Sequence, residues 1–301
     1  MKIKFLITVG DNFYFTGVEN VYDDRFDSTF ADVYNGDILQ KPWYMIGGNH
    51  DHFGNITAQT AYTNQSSRWT YPSLYYKVSY KFSAKNTSVD FLMIDTIVLC
   101  GNTRDIDNAG FFDMIFADVS KNPNNPRDPE AARKQWQWIE EQLSQSKADY
   151  LFVAGHYPIY SVSEHGPTQC LVDKLNPLLR KYKASAYFSG HDHNLQHLMI
   201  KETYDSDGEE QSLKDESEPS VMHYIISGAG SRSDRSMKHK NNVPVGSHLF
   251  SYPTGFNPFS QLGFTNGGFV GVEVSDQSAN FKFFSGESQQ KYDCSIRRRI
   301  F

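Results

Sequence analysis

Four apolar-rich runs in this chain end in the same way, on glycine followed at once by a side chain that can hold a cation or carry a proton. Ile3 to Val9 runs into Gly10-Asp11, and Trp43 to Ile46 into Gly47-Gly48-Asn49. Tyr150 to Val153 runs into Ala154-Gly155-His156, and Ala186 to Phe188 into Ser189-Gly190-His191. Short apolar runs bounded by turn signals read as buried strands. An open α/β sheet gathers its site beyond the carboxyl ends of such strands. The pattern therefore predicts an α/β fold that brings these polar residues to one edge.

Each motif also has a bland reading. Gly10-Asp11-Asn12 is an ordinary turn composition, and a lone histidine after a strand, such as His156, is more often a hydrogen-bonded structural residue. Gly190-His191-Asp192-His193 is more specific: two imidazoles two residues apart project from one turn, with Asp192 beside them for supporting hydrogen bonds. Asp11 and Tyr14, three apart, can face one side of a tight turn. Asn49 adds an amide oxygen, and the adjacent His50 can donate a proton at mildly acid pH. A carboxylate, a phenol, an amide and three imidazoles suffice for two adjacent metal ions. This mixture of hard oxygen and borderline nitrogen donors points to iron, zinc or manganese. His197, His223, His239 and His248 lack such context and default to structural or surface roles.

Composition narrows the alternatives. The 301 residues, 39% hydrophobic, suffice for a large core. No apolar stretch approaches the length of a membrane span, and Met1 to Val9 is too short for a signal peptide and runs straight into the first motif. The net charge of −6 is local, because residues 202–218 hold eight acids and one lysine. The remainder is nearly neutral, which argues against nucleic acid as a partner. Three cysteines without a CxxC disfavour a zinc–thiolate site. Sequons at Asn55, Asn64 and Asn86 suit an oxidising, glycosylating compartment.

Further along, Phe91 to Leu99 reads as one long strand ending at Cys100, and residues 102–128 as a loop broken by Asn122-Pro123-Asn124-Asn125-Pro126. Asp128-Pro129 opens a helix as cap and first residue. Its apolar face is Ala132, Trp136, Ile139 and Leu143. A helix around Leu171 to Tyr182 and a strand from Met222 to Ile226 follow. Alternation through Val270, Val272 and Val274, then Phe281 and Phe283, predicts a terminal antiparallel pair. No repeat or linker divides residues 1–301, so one domain is expected.

In order and spacing, Gly10-Asp11-Asn12-Phe13-Tyr14-Phe15-Thr16-Gly17, Gly48-Asn49-His50-Asp51-His52, Gly155-His156-Tyr157-Pro158, Glu164-His165-Gly166-Pro167-Thr168 and Gly190-His191-Asp192-His193-Asn194 resemble the purple acid phosphatases. These are a branch of the calcineurin-like metallophosphoesterases, and the small, mammalian-type, tartrate-resistant form is the nearest match. The resemblance implies a four-layer α/β/β/α sandwich of two mixed sheets flanked by helices. It implies hydrolysis of phosphate monoesters, on small molecules or phosphoproteins, by a binuclear centre of Fe(III) with Fe(II) or Zn(II). Asp11 would bridge the metals. Tyr14 and His193 would bind Fe(III), and Asn49, His156 and His191 would complete the divalent position. His50 and His165 would contact the phosphate and help protonate the leaving alcohol, with Glu164 orienting them. Cys100 and Cys170 would form a disulfide, leaving Cys294 free. The 102–128 loop would overhang the site and be cut by proteases, and both it and the acidic 202–218 loop look longer than in the family. A lysosomal or secreted location follows from the same likeness.

The resemblance also calls for an earlier Gly-Asp-x-Gly motif supplying a further Fe(III) ligand. Only ten residues precede Asp11, so the first strand–helix unit is expected to be missing and the domain to be N-terminally truncated. Such a chain is expected to bind about one metal, with little purple colour and slow turnover. The alternatives are an inactive or single-metal form acting as a binding or scaffold protein, or a phosphodiesterase of the same superfamily. Tyr14 argues against the latter, since a tyrosine ligand marks the purple phosphatases within that resemblance.

Overall fold

A computed structural model describes residues 3–82, 86–103, 123, 125–201, 221–255 and 267–300. Its first strands are short: β1 (Leu6–Ile7), β2 (Trp43–Tyr44) and β3 (Trp69–Thr70) form a three-stranded parallel sheet in that order. β4 (Tyr76–Phe82), β5 (Thr87–Met93), β6 (Tyr150–Ala154), β7 (Ala186–Ser189), β8 (Leu195–Lys201), β9 (Val221–Ser227) and β10 (His248–Tyr252) build a seven-stranded mixed sheet. Its order is β10-β8-β9-β7-β6-β5-β4. The inner strands β5, β6, β7 and β9 run parallel, so their carboxyl ends align. β11 (Gly268–Val274), β12 (Ser278–Ser285) and β13 (Gln290–Arg297) make an antiparallel sheet.

The expected α/β class and large mixed sheet are present, with the second β layer in two hydrogen-bonded pieces among the described residues. One face of the large sheet carries Phe91, Tyr150, Phe152, Phe188 and Ile225, which join Trp43, Trp69, Phe281 and Phe283 in one core cluster. The opposite face, with Leu92, Leu151, Val153, Tyr187 and Ile226, is covered by Ile139, Leu143, Leu171, Leu175 and Leu179 of two helices. Strands buried on both faces are apolar throughout rather than alternating, and β6 is buried at every residue.

Helix Pro129–Gln145 begins as its cap predicts, with Asp128 accepting from the N–H groups of Glu130 and Ala131. Helix Gln169–Lys181 lies within about a turn of its expected span. Phe91 to Leu99 is not one strand, however. β5 stops at Met93, and Asp95 caps a short helix, Thr96–Cys100, by accepting from Ile97 and Val98 N–H. A buried aspartate with an N-capping partner breaks a run whose apolarity alone favours a strand. That helix delivers Cys100 to Cys170, and the two form the expected disulfide. Cys294 is free. Most of the 102–128 loop and all of 202–218 lie outside the described residues.

Between the large sheet and β13, His197 Nε2 meets His223 Nδ1 at 3.0 Å, and His197 Nδ1 meets the Tyr292 hydroxyl at 3.0 Å. Burial, then mutual repulsion, depresses His197 to about 3; burial, then Lys201, depresses His223 to about 4. Unfolded, each would titrate near the usual value of about 6.5. A depressed folded-state value means that the unfolded chain binds the extra protons. Stability from this pair is therefore full above pH 6.5 and lost as pH falls from there toward 3. Replacing His197 with Phe should flatten the fall in urea midpoint between pH 6.5 and 4.5; an unchanged slope would show that the pair does not control it.

Candidate metal centre

The parallel strands end where the sequence pattern anticipates. Asp11 follows β1, Asn49 and His50 follow β2, His156 follows β6, and His191 and His193 follow β7. The two sheets stack so that these ends meet, and His156 Nδ1 lies 2.7 Å from the carbonyl oxygen of Val9 across the junction. Asp11 and His191 adopt φ of +55° and +64°, a left-handed conformation that costs non-glycine residues free energy and recurs at functional sites. Gly48 lies against Asp11 so closely that a Cβ would collide with its carboxylate and backbone nitrogen. Gly10, at φ +90°, leaves room for the His156 ring.

Asp51, buried, fastens this arrangement from beneath. It accepts from the backbone N–H of Asn12 (3.0 Å), Phe13 (3.2 Å) and Gly48 (2.8 Å), and from Gln59 Nε2 (2.8 Å). The turn that bears Asp11 is thereby locked to the turn that bears Asn49.

Asp11 is the hub. Its carboxylate accepts from His50 N–H (3.0 Å) and the Tyr14 hydroxyl (3.1 Å), and lies 3.3 Å from His156 Nε2. Among the described residues, Asp11, His156 and His191 offer ligand atoms all within 4.8 Å of one another. Asn49 Oδ1 is 2.9 Å from His156 Nε2, and Tyr14 Oη is 3.0 Å from His193 Nε2. Burial works to raise the Asp11 carboxyl, but His156, His50 and His191 outweigh it and hold it well below the usual range. Burial, with neighbouring positive groups, holds His191 and His193 well below theirs. Burial, then Asp11, holds the Tyr14 phenol well above its usual range.

The bonding of His156 tests whether a cation fits. Val9 offers only an acceptor, so His156 Nδ1 carries hydrogen, and Nε2 faces two further acceptors, Asn49 Oδ1 and Asp11 Oδ2. Burial works to lower the His156 pKa, but the Asp11 carboxylate outweighs it and raises it, so the gap between these oxygens favours a positive charge at Nε2. A metal cation among these three atoms would supply that charge in place of a second ring proton. Backbone carbonyls behind ligating imidazoles are the usual support in metal sites.

The remaining proposed residues sit around this cluster. The His50 ring has Nδ1 2.6 Å from Phe15 O and its centroid 4.5 Å from that of Tyr14. His165 stacks on His191 with centroids 4.0 Å apart, and its backbone N–H donates to Asp192 Oδ1 at 2.9 Å. Asp192 also accepts from the Ser161 hydroxyl, so it ties the His165 loop to the His191–His193 turn. Glu164 places its carboxylate 3.1 Å from Lys238 Nζ, at the rim. Sequence reasoning missed Asp51 as a brace, Ser161, and Arg232, whose Nε donates to His193 Nδ1 at 2.9 Å. Arg232 follows Gly228-Ala229-Gly230 at the carboxyl end of β9, so the same run-then-glycine signal marked its neighbourhood.

Residues 2–195 match the calcineurin-like phosphoesterase family. The chain is 40% identical over 296 residues to tartrate-resistant acid phosphatase type 5 of Homo sapiens, covering 98% of this chain and 79% of that protein. It belongs to the purple acid phosphatases. Purple acid phosphatase 7 of Arabidopsis thaliana is 33% identical over 204 residues, covering 66% of this chain and 56% of that one. Among solved structures, the purple acid phosphatase from yellow lupin (Lupinus luteus) seeds superposes with a TM-score of 0.59 at 15% identity, covering 98% of this chain and 47% of that one. GAP50, described as the anchor in the inner membrane complex of Plasmodium, superposes with a TM-score of 0.71 at 23% identity, covering 99% and 79%. Both structural likenesses are of fold alone.

In this purple acid phosphatase the Asp51 brace has a measurable consequence. Asp51→Asn puts an amide N–H₂ among five donors, the Asn12 side-chain amide included, and leaving buried donors unmatched costs about 2–4 kcal/mol. The urea midpoint should drop accordingly, and metal uptake should weaken with it. An unchanged midpoint would mean that the two turns hold together without it.

Proposed function

We propose that this acid phosphatase hydrolyses phosphate monoesters at mildly acid pH through a binuclear iron or iron–zinc centre. The observation that carries the reading is His156, whose Nε2 faces two oxygen acceptors while its Nδ1 is held by Val9 O. One metal would be held by Asp11, Asn49, His156 and His191; the other would draw on Asp11, Tyr14 and His193. Such ions supply Lewis-acid stabilisation of the phosphoryl group during in-line attack.

The protein's own groups do the rest. Asp11, fixed by His50 N–H and Tyr14, would offer one carboxylate to both positions. His50, with its Nδ1 hydrogen committed to Phe15 O, would give the leaving alcohol the second proton, on Nε2, that its imidazolium form carries at mildly acid pH, and be left as the neutral ring. His165, stacked on His191 and tied to Asp192, would contact the phosphate. Glu164, paired with Lys238, would orient His165 only through the backbone that the two share. The substrates would be small phosphomonoesters or phosphoproteins, and protease cleavage within 102–128 would open access to them. The exposed Asn55, Asn64 and Asn86 and the Cys100–Cys170 disulfide support a lysosomal or secreted setting. No helix among the described residues is long and apolar enough to cross a membrane.

A phenyl phosphate monoester and the matching diester, assayed side by side with metal analysis, test the reading. Monoester turnover should dominate, and His156→Ala should lower it more than about 100-fold together with metal content. His50→Gln should cut kcat by about 100-fold or more with metal content intact. Dominant diester turnover, or full activity in metal-free protein, would overturn the proposal.

A further inference from the structure

The two sides of the centre are supported in opposite senses. Behind His156 stands a carbonyl, Val9 O, which takes the Nδ1 hydrogen and leaves Nε2 open. Behind His193 stands a guanidinium. Arg232 Nε donates to His193 Nδ1 at 2.9 Å, and arginine has no acceptor to offer in return. A neutral imidazole carries one hydrogen, so the ring keeps it on Nε2. That nitrogen lies 3.0 Å from the Tyr14 oxygen, and the Tyr14 hydroxyl lies 3.1 Å from Asp11 Oδ2. Every hydrogen then has one direction: Arg232 to His193, His193 to Tyr14, Tyr14 to the Asp11 carboxylate. Among these groups, His193 Nε2 has no lone pair left for a cation.

Arg232 is not a loosely attached surface side chain. It is half-buried, and its segment is fixed to the histidine turn on both sides. Gly228 N–H donates to Asn194 O at 2.9 Å, and Asp234 N–H donates to the backbone oxygen of His193 itself at 2.7 Å. β9 and β7 are parallel neighbours, so this register holds Arg232 beside His193. A cation at the Tyr14–His193 position needs the other tautomer, in which Nδ1–H and the Arg232 N–H would confront each other donor to donor. Either the arginine leaves or the cation stays out.

We propose that Arg232 is a positioning residue that gates the Tyr14–His193 metal position, so that the position of Asp11, Asn49, His156 and His191 fills first and the second fills only when Arg232 releases His193. This rests on the binuclear reading above and adds an order of loading to it.

The test is calorimetric titration of metal-free, full-length protein with Zn²⁺, alongside the visible tyrosinate band on Fe(III) addition and ¹⁵N spectra of histidine-labelled protein. The unsubstituted protein should bind in two steps, the second at least about tenfold weaker, in the range by which supporting groups shift metal affinity. Its metal-free spectrum should show His193 with hydrogen on Nε2. Arg232→Met should free Nδ1 to carry the hydrogen once a cation takes Nε2, tighten the second step at least about tenfold, strengthen the Fe(III) band, and leave the first step within about threefold. Arg232→Glu, which places an acceptor behind the ring, should tighten the second step further and serves if the methionine variant folds poorly. Arg235→Met removes a nearby charge from an arginine that donates to Thr254 O, and should change neither step. An unaltered second step in both Arg232 variants, an equal gain in Arg235→Met, or an Nδ1–H His193 in the unsubstituted protein would overturn the inference while leaving the metal centre standing. Absence of metal uptake by every form would overturn both.

Discussion

The site is organised around one buried carboxylate, Asp11, in an unfavourable backbone conformation. Its φ of +55° and its burial both cost free energy, and neither is tolerable without strong partners. The partners come from four separate segments: Tyr14 on its own turn, the His50 amide, His156 and His191. Gly10 and Gly48 are glycine because the approach of these segments leaves no space for a Cβ. Asp51 keeps the first two turns in register from below, and Asp192 does the same for the turns carrying His165 and His191. Two carboxylates that never need to touch substrate thus hold in place those that would.

The stacking of a short parallel sheet on a long mixed one makes this convergence possible. Alone, β1 and β2 lead to Asp11, Tyr14, Asn49 and His50, whereas β6 and β7 lead to the imidazoles of His156, His191 and His193. The aromatic interface of Trp43, Trp69, Phe152, Phe188 and Phe281 brings the oxygen donors of one sheet to the nitrogen donors of the other. Core packing and ligand geometry are therefore coupled. A change that shifts one sheet relative to the other by a fraction of an ångström would be felt at the junction between Val9 and His156.

The ends of the strands were the most legible part of the chain, because the run-then-glycine signature reflects two local requirements: apolar side chains on both faces, and a sharp exit at the top. Asp11, Asn49, His156, His191 and His193 all lie close together where that signature puts them. Legibility failed where a side chain overrode local pattern. Asp95 turns the end of Phe91–Leu99 into a helix, and its burial beside Gln135 depends on tertiary structure. β3, β4, β8, β10 and β13 went unread, since a two-residue strand such as Trp69–Thr70 and mixed polar edge strands such as Tyr76–Phe82 and Gln290–Arg297 carry a weak periodic signal. The supporting residues Asp51, Ser161 and Arg232 were invisible as such: their role depends on which nitrogen or oxygen they meet.

Asp11, Asn49, His156 and His191 are proposed to hold a metal ion together. Anomalous X-ray diffraction from crystals of the protein loaded with zinc or iron, recorded on both sides of the metal edge, addresses it directly. A strong anomalous peak is expected within coordination distance of Asp11, Asn49 Oδ1, His156 Nε2 and the His191 ring. A peak elsewhere, or none at full metal loading, would contradict it.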